Sequence, residues 1–243
     1  MRELRKLNNL TGYSLQAIDG DIGKLEEVYF DDHHWQVRYL VVRTGNWLLG
    51  REVLLVPTVI EGIDDGKNAI QVNLTQEQIE HAPPIDRKQP VSRQYQQQYY
   101  GYYDWEPYWM TDPLFQASPA IPPFIQPEIS TKLENPHLRS SNEVSGYHLK
   151  TAEGSMGHVE DLILDDQDWI VRYLEVDTRN WLPSRHVLVS PAWVEQIDWA
   201  TLQVQVGLSQ QLLKSAPEYD SSKTISRDYQ LALYKHYGKT FTD

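Results

Sequence analysis

Four consecutive residues, Asp31-Asp32-His33-His34, place two carboxylates and two imidazoles within one short stretch. That donor set suits zinc or nickel. Adjacent residues in a tight turn diverge rather than converge on one ion, and 134 residues later the same turn reads Asp165-Asp166-Gln167-Asp168. The second version lacks the glycine and distal glutamate of a dedicated calcium loop. A solvated β-turn is therefore expected at both places, with no metal and no cofactor. Arg38 and Arg172 stand in strand phase with apolar neighbours, and a guanidinium drawn toward a core needs an acid. Glu26 with Glu160 and Asp31 with Asp165 are the acids present at both places, so structural ion pairs of Arg38 and Arg172 with these groups are expected. No glycine-rich phosphate loop, nucleophile elbow or metalloprotease pattern is visible. The expectation is a protein without catalytic residues.

A second set of residues suits contact rather than chemistry. Trp47 with Arg51, and Trp181 with Arg185, flank equivalent loops, and a tryptophan beside an arginine is the composition of a binding hot spot. These four are candidate partner-binding residues and the expected junction between the two halves of the chain. Trp105, Tyr108 and Trp109 belong to a dense aromatic run beginning at Tyr95. Burial against the chain's own fold and anchoring of a partner are both open to them.

These residues sit on a duplicated framework. Residues 12–104 align with 146–238 at a constant offset of 134, with no gap and 38 of 93 positions identical. A period of that length describes two complete globular units rather than a solenoid. In each, short runs of strand character follow one another. Leu25, Val28 and Phe30 read as inward, and Val37 to Thr44 is the most β-rich run. Comparing the copies suggests which face of that strand is wet: Val41 and Arg43 become Glu175 and Asp177, whereas Leu40 and Val42 stay apolar. Thr75, Ser209, Ser92 and Ser226 are positioned as helix N-caps, and Thr75 has its capping-box partner at Gln78. The chain divides as 1–104, a linker at 105–141 with seven prolines, and 142–243. The linker is too apolar for a solvated tether and is expected to pack on the two units.

The net charge is −12, with 11 basic and 15 acidic side chains in residues 1–104 and 9 and 15 in residues 142–243. Neither half is a basic module, so nucleic acid and anionic membrane are not the expected partners. There is no cysteine, and no run approaches the roughly 20 apolar residues that span a bilayer. The N-terminal residues carry no apolar run of a secretion signal. A cytoplasmic protein is expected.

Gly23 with its following strand, the run Val37-Arg38-Tyr39-Leu40, and Asn46-Trp47-Leu48 before Arg51-Glu52-Val53-Leu54-Leu55-Val56-Pro57 together resemble the PRC-barrel family. The second copy carries the same order of motifs, and Ser92-Arg93-Gln94-Tyr95 and Ser226-Arg227-Asp228-Tyr229 resemble bacterial stand-alone members. The resemblance implies a mainly β chain of two tandem small β-barrels, each followed by short helices. It also implies a docking role without catalysis. The reading is a non-enzymatic adaptor that binds a protein partner or itself, with an internal pseudo-two-fold contact between the barrels. The alternatives are an RNA- or ribosome-associated factor, by analogy with a related ribosome-maturation barrel, and a small-molecule sensor with its ligand between the barrels.

Overall fold

The computed structural model describes residues 3–83, 93–108, 138–178 and 185–241. The first unit is built on β2 (Ser14–Gln16), β3 (Asp21–Asp31), β4 (Val37–Thr44), β5 (Glu52–Leu55), β6 (Ile60–Asp64) and β7 (Ala69–Val72), hydrogen-bonded in the order β5-β4-β3-β2-β7-β6. The second repeats that order with β9 (His148–Thr151), β10 (Gly154–Asp165), β11 (Val171–Asp177), β12 (His186–Val189), β13 (Val194–Asp198) and β14 (Gln203–Val206). Neighbours pair antiparallel except β2 with β7 and β9 with β14. The protein is thus mainly β, with two similar seven-stranded sheets and short helices.

Alternation along the strands supplies each core. Leu25, Val28, Phe30, Leu40, Val42 and Leu55 are buried in the first unit, and Val159, Leu162, Leu164, Leu174, Val176 and Val189 occupy the matching places in the second. Gly23 lies within β3 rather than in a turn. A Cβ there would meet the Arg43 carbonyl oxygen at 2.0 Å, and at the equivalent Gly157 it would meet the Asp177 oxygen at 2.0 Å. Glycine is required where one backbone presses on another. Helix Gln76–Glu80 has the expected capping box of Thr75 and Gln78, and Ser209 and Ser226 cap the helices Gln210–Lys214 and Arg227–His236. Ser92 lies outside the described residues.

The seventh strand of each sheet comes from the other half of the chain. β1 (Leu4–Lys6) pairs with β10, and β8 (Leu138–Ser140) pairs with β3. The registers are equivalent: Arg5 faces Leu164 and Arg139 faces Phe30, each pair 134 residues from its counterpart. The two units exchange arms reciprocally. Residues 138–141, which the sequence reading assigns to the linker, therefore form an arm and the start of a helix that dock on the first unit. The duplication reaches upstream of residue 12 to Leu4-Arg5 and Leu138-Arg139.

A pseudo-two-fold axis passes between Gln36 and Ile170, which form an antiparallel bridge. Val37 donates its amide to the Trp169 carbonyl at 2.8 Å, and Val171 donates to that of Trp35 at 2.8 Å. Both tryptophans are left-handed, with φ of 57° and 53°. That region is a marked outlier for a bulky residue. Their rings are buried, and Trp35 stacks on Phe30 with centroids 5.3 Å apart. The conformation turns each carbonyl toward the other unit, and burial of the ring holds it there. An isologous contact within one chain is what duplication of a self-associating unit produces.

One expectation about faces is corrected. Val41, Glu175 and Asp177 are buried, although the change of Val41 to Glu175 suggested a solvated face; Arg43 alone of the four is exposed. The exchanged arm covers it. Lys6 of β1 reaches Glu175 at 2.7 Å, so the acid is buried with a cation supplied from 169 residues away. A two-copy comparison within the strand has no access to that partner.

Candidate functional site

Between the units lies a cleft of about 1240 Å³. One wall is the turn Asp32–Trp35 of the first unit, joined by Arg139 from the arm. The other belongs to the second unit: Arg172 and Tyr173 on β11, Trp199 after β13, and Arg227, Gln230 and Tyr234 on the C-terminal helix. The arms set this geometry. Arg139 donates to Asp32 at 3.0 Å and its guanidinium lies over the Trp199 ring, 3.8 Å from the centroid. On the opposite side of the axis Arg5 donates to Asp166 at 2.8 Å and to Asp65, the equivalent of Trp199, at 2.7 Å.

The acidic turn is committed to structure. Asp31 accepts from Arg38 Nε at 2.6 Å and from the His34 amide at 2.7 Å, while Asp32 holds the arm through Arg139. Arg172 reaches Asp165 at 3.3 Å and Asp168 at 3.3 Å. The expected pairs of Arg38 with Asp31 and of Arg172 with Asp165 are present. Glu26 and Glu160 are not their partners. A bulge between Leu25 and Glu27 sets Glu26 beside Arg43, with which it pairs, and Glu160 lies 3.8 Å from His186. The donor atoms of His158, Glu160 and Asp177 lie within 4.8 Å of one another, so these three are the described residues closest to a metal-binding group. In the first unit the same corner holds Lys24, Glu26 and Arg43, of which Arg43 pairs with Glu26.

The residues proposed for contact are placed mostly within their own units. Trp47 is half-buried against the core, and its indole N–H donates to the Ile22 carbonyl at 2.8 Å. Arg51 donates to the carbonyls of Glu80 at 3.3 Å and Ala82 at 2.5 Å, satisfying the end of a short helix. Arg185 does the same with Lys214 at 3.1 Å and with Ala216. Among the described residues, Trp47, Arg51 and Arg185 make their hydrogen bonds within their own units. The junction runs through the arms and the Trp35 and Trp169 turns. Trp181 and Trp109 lie outside the described residues.

Trp105 and Tyr108 pack back on the first unit. The Tyr108 ring lies 4.1 Å from Arg38 Cζ, its hydroxyl donates to Gln96 Oε1 at 3.0 Å, and Trp105 meets the rings of Tyr99 and Tyr100 edge-on. Both side chains are half-buried on their own fold. The phenol of Tyr39 beneath them is pushed well above its ordinary range, by burial first and by neighbouring tyrosines second. Burial likewise raises Tyr173 in the second unit.

The arm of the first unit brings a cation to two buried acids. Asp161 and Glu175 are 1% and 0% exposed. Lys6 sits 2.7 Å from Glu175 and 3.9 Å from Asp161. Asp161 also accepts from the amides of Leu162 at 2.8 Å and Asn8 at 3.2 Å. Burial dominates: it pushes the Asp161 carboxyl up to about 7, against the Leu162 amide, Lys6 and the Asn8 amide, with Glu175 adding to the rise.

Residues 3–79 match the family model of the PRC-barrel domain. The matched span begins at the exchanged arm and ends in helix Gln76–Glu80, so it covers the first repeat from its crossing strand to its capping helix. The second sheet repeats the first. No curated protein matches the chain. No helix among the described residues is long and apolar enough to cross a membrane.

Proposed function

We propose, from the premise that residues 3–79 are a PRC-barrel domain and that the second unit repeats its sheet, that this chain is a non-catalytic adaptor. Its docking surface is the cleft between the two units, and its partner is a protein. The observation that carries this reading is the cleft wall itself. Trp199 under Arg139, with Arg172 and Tyr234 nearby, combines aromatic and arginine side chains on a scaffold held by two exchanged strands. Such residues dominate binding energy at protein interfaces, and a pre-organised wall loses little entropy on association.

Size and charge weigh between the alternatives. A cleft of about 1240 Å³ exceeds the usual small-molecule pocket and is lined by charges of both signs, which suits a polypeptide better than an enclosed ligand. Arg139, Arg172 and Arg227 line it together with Glu3, Asp32, Asp165 and Glu195, so the cleft offers RNA no uncompensated basic surface. The Trp47 loop, with Leu49 at its tip 96% exposed, is the competing docking surface.

Tagged protein used as bait in lysate of its own organism tests the proposal. A stoichiometric protein retained by the wild type and lost with Trp199→Ala plus Tyr234→Ala is expected, provided the variant still unfolds cooperatively. Equal retention by the variant would remove the cleft from consideration.

A further inference from the structure

We infer that the cleft wall of the second unit receives a tyrosine side chain from an extended segment of the partner protein, as the first unit receives its own Tyr108; this rests on the docking reading above and makes it specific.

The two units carry the same three residues at the same places, Arg38, Gln96 and Tyr100 in one and Arg172, Gln230 and Tyr234 in the other. In the first unit Tyr108 completes them. Its ring covers Arg38, its edge meets Tyr100 at 6.2 Å, and its hydroxyl bonds Gln96. Under that cover Gln96 is 0% exposed, Tyr100 is 7% exposed, and the Arg38 side chain is 16% exposed.

In the second unit the three residues face the cleft. The Arg172 side chain is 31% exposed and has no ring over it among the described residues, and Gln230 and Tyr234 are half-buried. The glutamines show what is missing. Gln96 Oε1 accepts from two phenols, Tyr39 at 3.3 Å and Tyr108 at 3.0 Å, and so uses both of its lone pairs. Gln230 Oε1 accepts from Tyr173 at 3.0 Å, the equivalent of Tyr39, and among the described residues no second phenol bonds it. Phe241 meets the Tyr234 ring edge-on at 5.0 Å but brings no hydroxyl to Gln230. The wall is thus a cation, a carbonyl lone pair and a ring edge, spaced for a phenol by the same fold that spaces them in the first unit. A second copy of this chain is a poor source, because its Tyr108 is already seated on its own Arg38.

The probe is a blocked hexapeptide of residues 103–108, Tyr-Asp-Trp-Glu-Pro-Tyr, titrated into the full chain labelled with ¹⁵N-arginine. The Arg172 Nε–Hε resonance is expected to move upfield and saturate, through the ring current of the bound tyrosine, while that of Arg38 stays fixed. A peptide with Tyr108→Phe is expected to bind about three- to tenfold more weakly, the worth of one neutral hydrogen bond. Gln230→Ala in the protein is expected to abolish that difference between peptides. No movement of Arg172 at millimolar peptide would overturn the inference; the docking reading would stand if capture still depended on Trp199 and Tyr234. Equal affinity for p-cresol and the peptide would make this a small-phenol site and overturn the assignment to a polypeptide. Movement of Arg172 with protein concentration alone would assign the surface to a second copy and also overturn it.

Discussion

The two strand crossings, β1 on β10 and β8 on β3, share a register and differ in what they bury. At the first, Lys6 lands between Asp161 and Glu175. At the second, the equivalent of Lys6 is Ser140, whose hydroxyl bonds Glu27, and the equivalent of Glu175 is the apolar Val41. The common part, backbone ladders and an arginine to the Asp32 or Asp166 carboxylate, is what specifies the exchange. Lys6 and Glu175 have changed together, to Ser140 and Val41, while the acid at the third place is kept as Asp161 in one crossing and Glu27 in the other; Glu175 buried without its cation would be strongly destabilising.

Removing Lys6 breaks the comparison most severely. Lys6→Ala leaves Glu175 buried without that cation, and a loss of about 3 kcal/mol is expected in urea unfolding. Lys6→Ser together with Glu175→Val rebuilds the second crossing at the first and is expected to recover most of that loss. Failure to recover would mean that Lys6 acts through something other than Glu175.

The next effect is on pH dependence. The Asp161 carboxyl stands at about 7 in the fold, above the ordinary 3.8, so the folded state holds a proton that the unfolded chain has released. The contribution of Asp161 to stability therefore falls as pH rises from about 4 to 7 and is constant above that window. Asp161→Asn removes the titration, and its stability relative to wild type is expected to rise by roughly 2–4 kcal/mol across the window. Chemical unfolding at pH 4.5, 6 and 7.5 measures it, and a constant difference would place the proton elsewhere.

At the arginines the contrast is smaller. Arg5 holds Asp65 and Asp166 by charge, whereas Arg139 combines Asp32 with the Trp199 ring. Each change to alanine is expected to cost about 1 kcal/mol. High salt should shrink the Arg5 effect and spare more of the Arg139 effect, because a stacked contact is screened less than an ion pair. Equal salt sensitivity would deny the stack its contribution. Ser140→Ala, which removes the hydroxyl bonded to Glu27, should cost a similar amount, about 1 kcal/mol.

The sequence shows why the exchange was hard to see. At an offset of 134, a strand pair within one unit and a pair formed by crossing arms leave the same identities, so Leu4-Arg5 and Leu138-Arg139 fit either arrangement. The core faces of β3 and β4 were legible from alternation at Leu25, Val28, Phe30, Leu40 and Val42, and the helix starts from Thr75, Ser209 and Ser226. Glu175 misled because its partner is remote in sequence. Trp35 and Trp169 repeat beside an acidic turn, and nothing local in the sequence signals a left-handed tryptophan. Of the cleft, Arg172 was legible as a repeated residue. Trp199 was not, because its counterpart is Asp65.

The central claim is that the inter-unit cleft, and not the Trp47 loop, meets the partner. A photo-crosslinking amino acid placed at Thr224 on the cleft wall, and separately at the exposed Leu49, tests it most directly in cells of the source organism. The account predicts one discrete crosslinked protein from position 224 and none from position 49. The same product from position 49 alone would contradict it.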